Sequence, residues 1–442
     1  MDASTKPPWA NFSWKTSARW IPTFSVSEAD TGLYAPPALC EAKNRIGTCP
    51  QYIWEYAKKI SNPYELVYTY KSEYIPESVA VVKPLSRSYF KMMEMLHLTG
   101  YMESRRPGPA LRTAHVCEGP GGFIEAIYDY AGRLYRTSTA IKSSHAMSLR
   151  STKPHIPGWR RAQQFMNRHR EVHIEYGADN TGNVLSTENR LAFGDSIRKG
   201  YSGNPIHIFT ADGGFDFTAN YLAQESTIFP LLLASVYTGF SCLAREGMFI
   251  LKIFDCFSPA TKQLVAWMAA AFDKWTLYKP ATSRPCNSEQ YFIGVGFRGV
   301  RKQDLIAIDE TITRGILPKT LFDEPIPHTL MVDIEEQSAF MLKNQLQFLE
   351  LALERTANWS NTNPTEEVLQ QLWAASLAAS RAFVGHFSII HKYPWPSISC
   401  RLSLPPVDSV SDYGEDTSQP DVCPQSSTPD DGSSCPVPSG PS

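Results

Sequence analysis

No two of the nine cysteines form a CxxC pair, and none clusters with histidine. That excludes the common structural zinc modules and points to a reducing compartment, cytoplasm or nucleus. Met1 to Lys15 has no apolar core, so a secretory signal is not expected there. Long apolar runs are also missing. The longest, Ile228 to Ala244, is broken by Ser235, Thr238, Gly239 and Ser241 and reads as a buried helix, not a membrane span. Charge of one sign is not in excess overall, with a net −2 over 442 residues. Acidic residues are nevertheless absent between Asp129 and Glu171, where nine arginines and lysines fall. No GxGxxG occurs and no internal repeat is evident, which counts against a Rossmann dehydrogenase and a solenoid.

What is present is an alternation of strand and helix signals. Strands are expected at Thr113–Cys117, Ala146–Leu149, Ile206–Ala211, Gly247–Phe254, Trp275–Lys279 and Gln290–Phe297. Helices are expected at Ser86–Leu98, Phe123–Tyr130, Ala219–Leu243 and Thr261–Phe272. This order argues an α/β fold with a mainly parallel sheet covered on both faces, and ligands bound beyond the strands' carboxyl ends. The chain divides into an irregular Pro/Trp/Tyr-rich N-terminal extension at 1–80, a core domain at 81–325, a helical appendage at 326–400 and a tail at 401–442. In the appendage Leu342, Leu346, Leu349 and Leu353 step at helical spacing, and a protein partner on it is left open. The Pro/Ser/Asp-rich tail lacks the apolar surface to order itself and is expected to be disordered.

The most informative stretch is Cys117-Glu118-Gly119-Pro120-Gly121-Gly122-Phe123, a glycine-rich turn between a strand and a helix. Such turns let a ligand approach the backbone and aim free N–H groups into a cleft. Asp212 follows an apolar strand and precedes Gly213-Gly214; alone it reads as a turn aspartate. Lys252 lies within Met248–Phe254, an otherwise apolar strand, so it is either a structural ion pair with Asp212 or a lysine tuned to accept a proton. Glu289 precedes the last strand and Lys91 sits on the helix before the turn. Each alone reads as an ordinary charge.

Taken in order, Lys91, the 117–123 turn, Ala211-Asp212-Gly213-Gly214, Leu251-Lys252-Ile253-Phe254-Asp255 and Ser283–Phe292 resemble the FtsJ-type ribose 2′-O-methyltransferases, above all their mRNA cap branch. The resemblance covers roughly residues 85 to 300 and implies a Rossmann-like class I methyltransferase fold. It implies a catalytic tetrad of Lys91, Asp212, Lys252 and Glu289, with Lys252 as general base, Asp212 orienting it, Lys91 lowering its pKa and Glu289 positioning lysines and ribose. No metal is implied. S-adenosyl-L-methionine is implied as methyl donor, held by Glu118, Gly119, Pro120, Gly121, Gly122, Phe123 and Asp212, and by Asp179 in the Gly177–Asn183 loop. Two positions depart from the family pattern. His115 stands where relatives often carry Asp, with Glu118 as a substitute for its charge, and Asn183 stands where an acid is common. The basic stretch, with Arg150, Lys153, Arg160 and Arg161, is expected to meet RNA, whereas Trp159 reads as a packed side chain. The implied substrate is capped mRNA at its cap-proximal nucleotide. A ribosomal or transfer RNA methyltransferase and a non-catalytic RNA-binding scaffold remain the alternatives.

Overall fold

The computed structural model describes residues 6–105, 110–137, 139–150, 158–199, 201, 203–214 and 223–407. Their strands are β1 (Lys15–Thr16), β2 (Leu111–Val116), β3 (Ile141–Met147), β4 (Val172–Glu175), β5 (Ile206–Ala211), β6 (Leu243–Ile253), β7 (Phe272–Tyr278) and β8 (Gln290–Phe297). They form one sheet in the order β1-β7-β8-β6-β5-β2-β3-β4. The strands from β4 through β6 run parallel, while β8 is antiparallel to both β6 and β7. Strands β2, β5 and β6 are buried along most of their length, which is why they read as near-continuous apolar runs. The sequence order reverses between β2 and β5, the place where open sheets of this type bind ligands.

Register then fixes the site. Val116 pairs with Ala211, Ala211 with Leu251, and Lys252 with Tyr291. Cys117, Asp212, Lys252 and Tyr291 therefore form one row across four strands, at the carboxyl ends of the three parallel ones.

The main helices are α1 (Pro37–Ile46), α2 (Gln51–Ile60), α3 (Ser88–Thr99), α4 (Gly122–Tyr135), α5 (Gln163–Arg168), α6 (Thr187–Arg198), α7 (Gln224–Cys242), α8 (Pro259–Ala270), α9 (Lys302–Arg314), α10 (His328–Asn361) and α11 (Glu366–His386). Within the N-terminal region expected to be irregular, the α-helices α1 and α2 form between residues 37 and 60. Prolines at the starts of both helices are tolerated because the first-turn N–H groups have no intrahelical partner anyway. Helices α10 and α11 pack onto this region. Leu349, Ala352 and Leu353 share a cluster with Leu39, Ala42 and Trp54, and Trp373 Nε1 donates to Tyr56 Oη at 3.2 Å. The strand expected at Ala146–Leu149 instead spans Ile141–Met147, and β4, α5, α6 and α9 were not anticipated. Of the expected tail, residues 408–442 lie outside the described residues, as do 219–222 of the expected long helix. Leu402 and Leu404, within the described part of that tail, pack against the core. No helix among the described residues is long and apolar enough to cross a membrane.

Candidate active site

The row at the strand ends carries two ion pairs joined by a tyrosine. Lys252 Nζ lies 3.3 Å from Asp212 Oδ1, and Lys91 Nζ lies 2.7 Å from Glu289 Oε1. Tyr291 Oη donates to Asp212 Oδ1 at 2.8 Å and reaches Glu289 Oε1 at 3.4 Å. All four charged residues expected from the sequence are thus brought together. Tyr291, within the Ser283–Phe292 motif, is the bridge between the two pairs. Lys91 does not stand on an open helix face; it is buried at 7% exposure with its ammonium on Glu289.

The electrostatics differ from expectation. Burial alone would favour a neutral Lys252, but Asp212, Glu289 and Glu118 together raise its pKa above the ordinary value of 10.5. Lys252 is therefore held as an ammonium, not poised as a free amine. Lys91 does not act on it as an unbalanced cation, because its charge is paired with Glu289. Burial pushes Glu289 up, yet Lys91, Lys252 and Lys279 pull it down to about 2. Lys279, not recognised from sequence, is the last residue expected in the strand read at Trp275–Lys279. It donates to Asn287 Oδ1 at 2.7 Å and to the Glu289 carbonyl at 2.7 Å, and burial draws its pKa to about 7. A lysine ending an apolar strand was the same signal that singled out Lys252.

The glycine-rich turn leaves β2 beside this row. Gly121 has φ +106°, and a Cβ at Gly122 would lie 2.2 Å from Ser86 Oγ and 2.4 Å from Ser88 Oγ. Only glycine lets the turn sit this close to the start of α3, which carries Lys91. The Gly119 N–H donates to Ser148 Oγ at 3.2 Å, and Trp159 is buried against Gly121. Trp159 is thus a packed side chain, as its plain reading had it.

Glu118 is 4% exposed, and its Oε2 is buried with no hydrogen-bond partner. Its Oε1 accepts from Thr210 Oγ1. Burial and the nearby Asp212 raise its pKa well above 4.5. An orphaned buried carboxylate oxygen beside a bare glycine turn fits a ligand with a cationic group, which is the chemistry of an amino-acid ammonium. His115, where family members often carry Asp, points elsewhere. It is fully buried between Thr210 Oγ1 at 2.8 Å and Thr113 Oγ1 at 2.7 Å, and burial lowers its pKa to about 3. It is a neutral core histidine that supports Glu118 through Thr210.

The remaining residues are placed as follows. Asp179 Oδ1 accepts from the Thr181 N–H at 2.9 Å, Thr181 Oγ1 at 2.7 Å and Asn189 Nδ2 at 2.8 Å, so it shapes its own loop. That loop meets the strand end at Ser148, whose carbonyl lies 2.0 Å from where a Gly182 Cβ would be. Asn183 Oδ1 caps Leu185 N at 3.0 Å. Arg150 is exposed over the Tyr176 ring, and Arg160 and Arg161 are exposed just after Trp159. Lys153 lies outside the described residues. No group of acidic, histidine or cysteine residues suited to a metal ion occurs among the described residues.

Residues 84–297 match the family described as FtsJ-like methyltransferase. They form an FtsJ-like methyltransferase domain. The match ends at Phe297, the end of β8, and covers the row, the turn and α3. Relatives are named cap-specific mRNA (nucleoside-2′-O-)-methyltransferase 1. The one from Dictyostelium discoideum is 29% identical over 276 residues, 61% of this chain and 35% of its own length. That from Trypanosoma brucei brucei is 27% identical over 61% of this chain and 73% of its own length, and that from Homo sapiens 32% identical over 44% and 22%. The matched part thus spans only about a third of the Dictyostelium protein. The FtsJ-like domain here is flanked on both sides by helices α1, α2, α10 and α11, which lie outside the matched residues.

Glu94, on α3 of this domain, gives a test of the fold around the site. It is fully buried, accepts the Ala281 N–H on both oxygens at 3.0 Å, and burial raises its pKa to about 8. A raised folded pKa means the stabilisation is complete below the unfolded value near 4.5 and is lost as pH climbs through about 8. Melting in that window is expected to worsen by up to about 1.4 kcal/mol per pH unit, and Glu94→Gln is expected to flatten this slope. A wild-type slope in the variant would contradict it.

Proposed function

We propose that this protein transfers a methyl group from S-adenosyl-L-methionine to a ribose 2′-OH of RNA, at the cap-proximal nucleotide of mRNA. The observation that carries the reading is the row of two ion pairs bridged by Tyr291, beside a glycine turn whose Glu118 has a buried oxygen without a hydrogen-bond partner. The turn from Glu118 to Phe123 would hold the methionine end of the donor. The 177–183 loop, shaped by Asp179, would border the adenosine. When bound, the donor supplies an electrophilic methyl on a positive sulfur, and that charge favours the neutral form of Lys252.

Lys252 then takes the 2′-OH proton onto Nζ as the oxygen becomes nucleophilic. Asp212, held by Tyr291, keeps the Lys252 amine aimed. Glu289 and Lys91, closed on each other, fix the far wall for the ribose, so much of the rate comes from orientation. The exposed Arg150, Arg160 and Arg161 flank the turn and support a polyanion along this edge. With mRNA as substrate, the site of action is nucleus or cytoplasm.

The test is transfer of labelled methyl to capped and uncapped RNA of one sequence. Transfer to the capped form alone is expected. Equal transfer to both would replace the cap reading by a ribosomal or transfer RNA methyltransferase, and RNA binding without any transfer would favour the scaffold. Because Lys252 rests as an ammonium, the rate is also expected to rise about tenfold per pH unit from neutral toward the lysine value. A rate independent of pH between 7 and 9 would remove Lys252 as the base.

A further inference from the structure

The connection between β7 and β8, residues 279–289, brings Glu289 to the site. One face of α3 grips it at three points. Arg87, Lys91 and Glu94 are spaced by four and three residues and so share a face. Arg87 Nη2 donates to the Thr282 carbonyl at 3.3 Å, Lys91 pairs with Glu289, and Glu94 accepts the Ala281 N–H.

Behind this grip lies Glu65, between α2 and α3 and outside the matched residues 84–297. It is fully buried. Arg284 donates to it through two nitrogens, Nε to Oε2 at 3.2 Å and Nη2 to Oε1 at 3.0 Å. Arg87 Nη1 reaches the same Oε1 at 3.4 Å, and Asn62 Nδ2 donates to Oε2 at 2.8 Å. One carboxylate is therefore shared by an arginine one helical turn from Lys91 and an arginine five residues from Glu289.

We propose that Glu65 is a positioning residue for the tetrad, setting the Lys91–Glu289 pair through Arg87 and Arg284. This rests on the methyl-transfer reading. A fork-to-carboxylate pair fixes orientation as well as distance. The N-terminal helical region thereby contributes to chemistry carried out in the FtsJ-like domain. The electrostatic consequence reaches Lys252, which faces Asp212 after β5, Glu118 after β2, and Glu289 and Tyr291 at β8. Loosening Glu289 removes one of the carboxylates that hold Lys252 as an ammonium.

The experiment uses the full chain with Glu65→Gln, Arg284→Gln and the double variant. It reads single-turnover methyl transfer, S-adenosylhomocysteine affinity, the pH–rate curve and amide exchange of residues 283–289. Each single variant is expected to transfer about 10- to 100-fold more slowly, the effect of a small misplacement of reacting groups. The double variant is expected to be about as slow as the slower single one, because both act through one contact. S-adenosylhomocysteine affinity should stay within about twofold of wild type, since the donor turn is not touched. The pH–rate curve should move to lower pH, which a loss of stability alone would not produce. Exchange should quicken in 283–289 and not in 118–123.

A folded Glu65→Gln with a wild-type rate, or single effects that multiply in the double variant, overturns the proposal. If Glu65→Gln does not fold, Arg284→Lys keeps the charge and loses the fork; a wild-type rate there also overturns it. If the wild-type chain transfers no methyl to any RNA, the methyl-transfer reading falls by itself. Exchange then decides the role of Glu65, and unchanged protection of 283–289 rejects it.

Discussion

Lys252→Met is expected to slow methyl transfer about 10³-fold, within the range by which a positioned proton acceptor accelerates a reaction. Methionine fills the lysine's volume, and β6 around it is apolar, so the strand is expected to keep its packing. Asp212 loses its ammonium but retains the Tyr291 hydroxyl at 2.8 Å. Donor affinity should therefore change little, which separates loss of chemistry from loss of binding. Single-turnover transfer with labelled donor, alongside calorimetric titration of S-adenosylhomocysteine, gives both quantities. A variant keeping more than about a tenth of the wild-type rate would show that Lys252 is an electrostatic neighbour and not the base.

Glu118→Gln is expected to weaken S-adenosylhomocysteine binding about 10- to 100-fold, the value of one hydrogen bond to a charged group. Glutamine keeps the shape and the contact with Thr210, but presents no charge through the oxygen that now lacks a partner. The same substitution is expected to leave 5′-methylthioadenosine binding unchanged, because that ligand has no amino-acid end. Equal weakening of both ligands would mean that Glu118 shapes the turn and does not touch the ammonium. A second signature follows from its raised pKa. An ammonium binds the ionised carboxylate, so ligand affinity should rise with pH and binding should release a proton. Calorimetry in buffers of different ionisation enthalpy reads that proton directly.

Much of the architecture was legible along the chain, and for an identifiable reason. Strands β5 and β8 run as read, Ile206–Ala211 and Gln290–Phe297, since strands covered on both faces appear as unbroken apolar runs. Strand β4, Val-His-Ile-Glu at the sheet edge, has no such run and escaped notice. Helices α1 and α2 were hidden by a Pro/Trp/Tyr-rich composition that suggests irregular chain. Their apolar positions, Ile53, Trp54, Ala57 and Ile60 among them, follow a helical period once Pro50 is taken as the start. Asp179, implied by the family resemblance to meet the donor, has its carboxylate on Thr181 and Asn189, an arrangement that Asx chemistry allows in any such turn.

By itself the sequence determined which residues end the buried strands and which turn leaves the first of them. Those choices are local: an apolar run must stop, and the charge or glycine that stops it is written next to it. Tertiary structure alone decided the carboxylates that surround Lys252, the closing of Lys91 on Glu289, the role of Tyr291 as bridge, the core placement of His115 and the sharing of Glu65 by Arg87 and Arg284. Each depends on groups far apart in the chain meeting at 3 Å or so away from water, where Coulomb terms and desolvation are both large and their balance sets which proton stays.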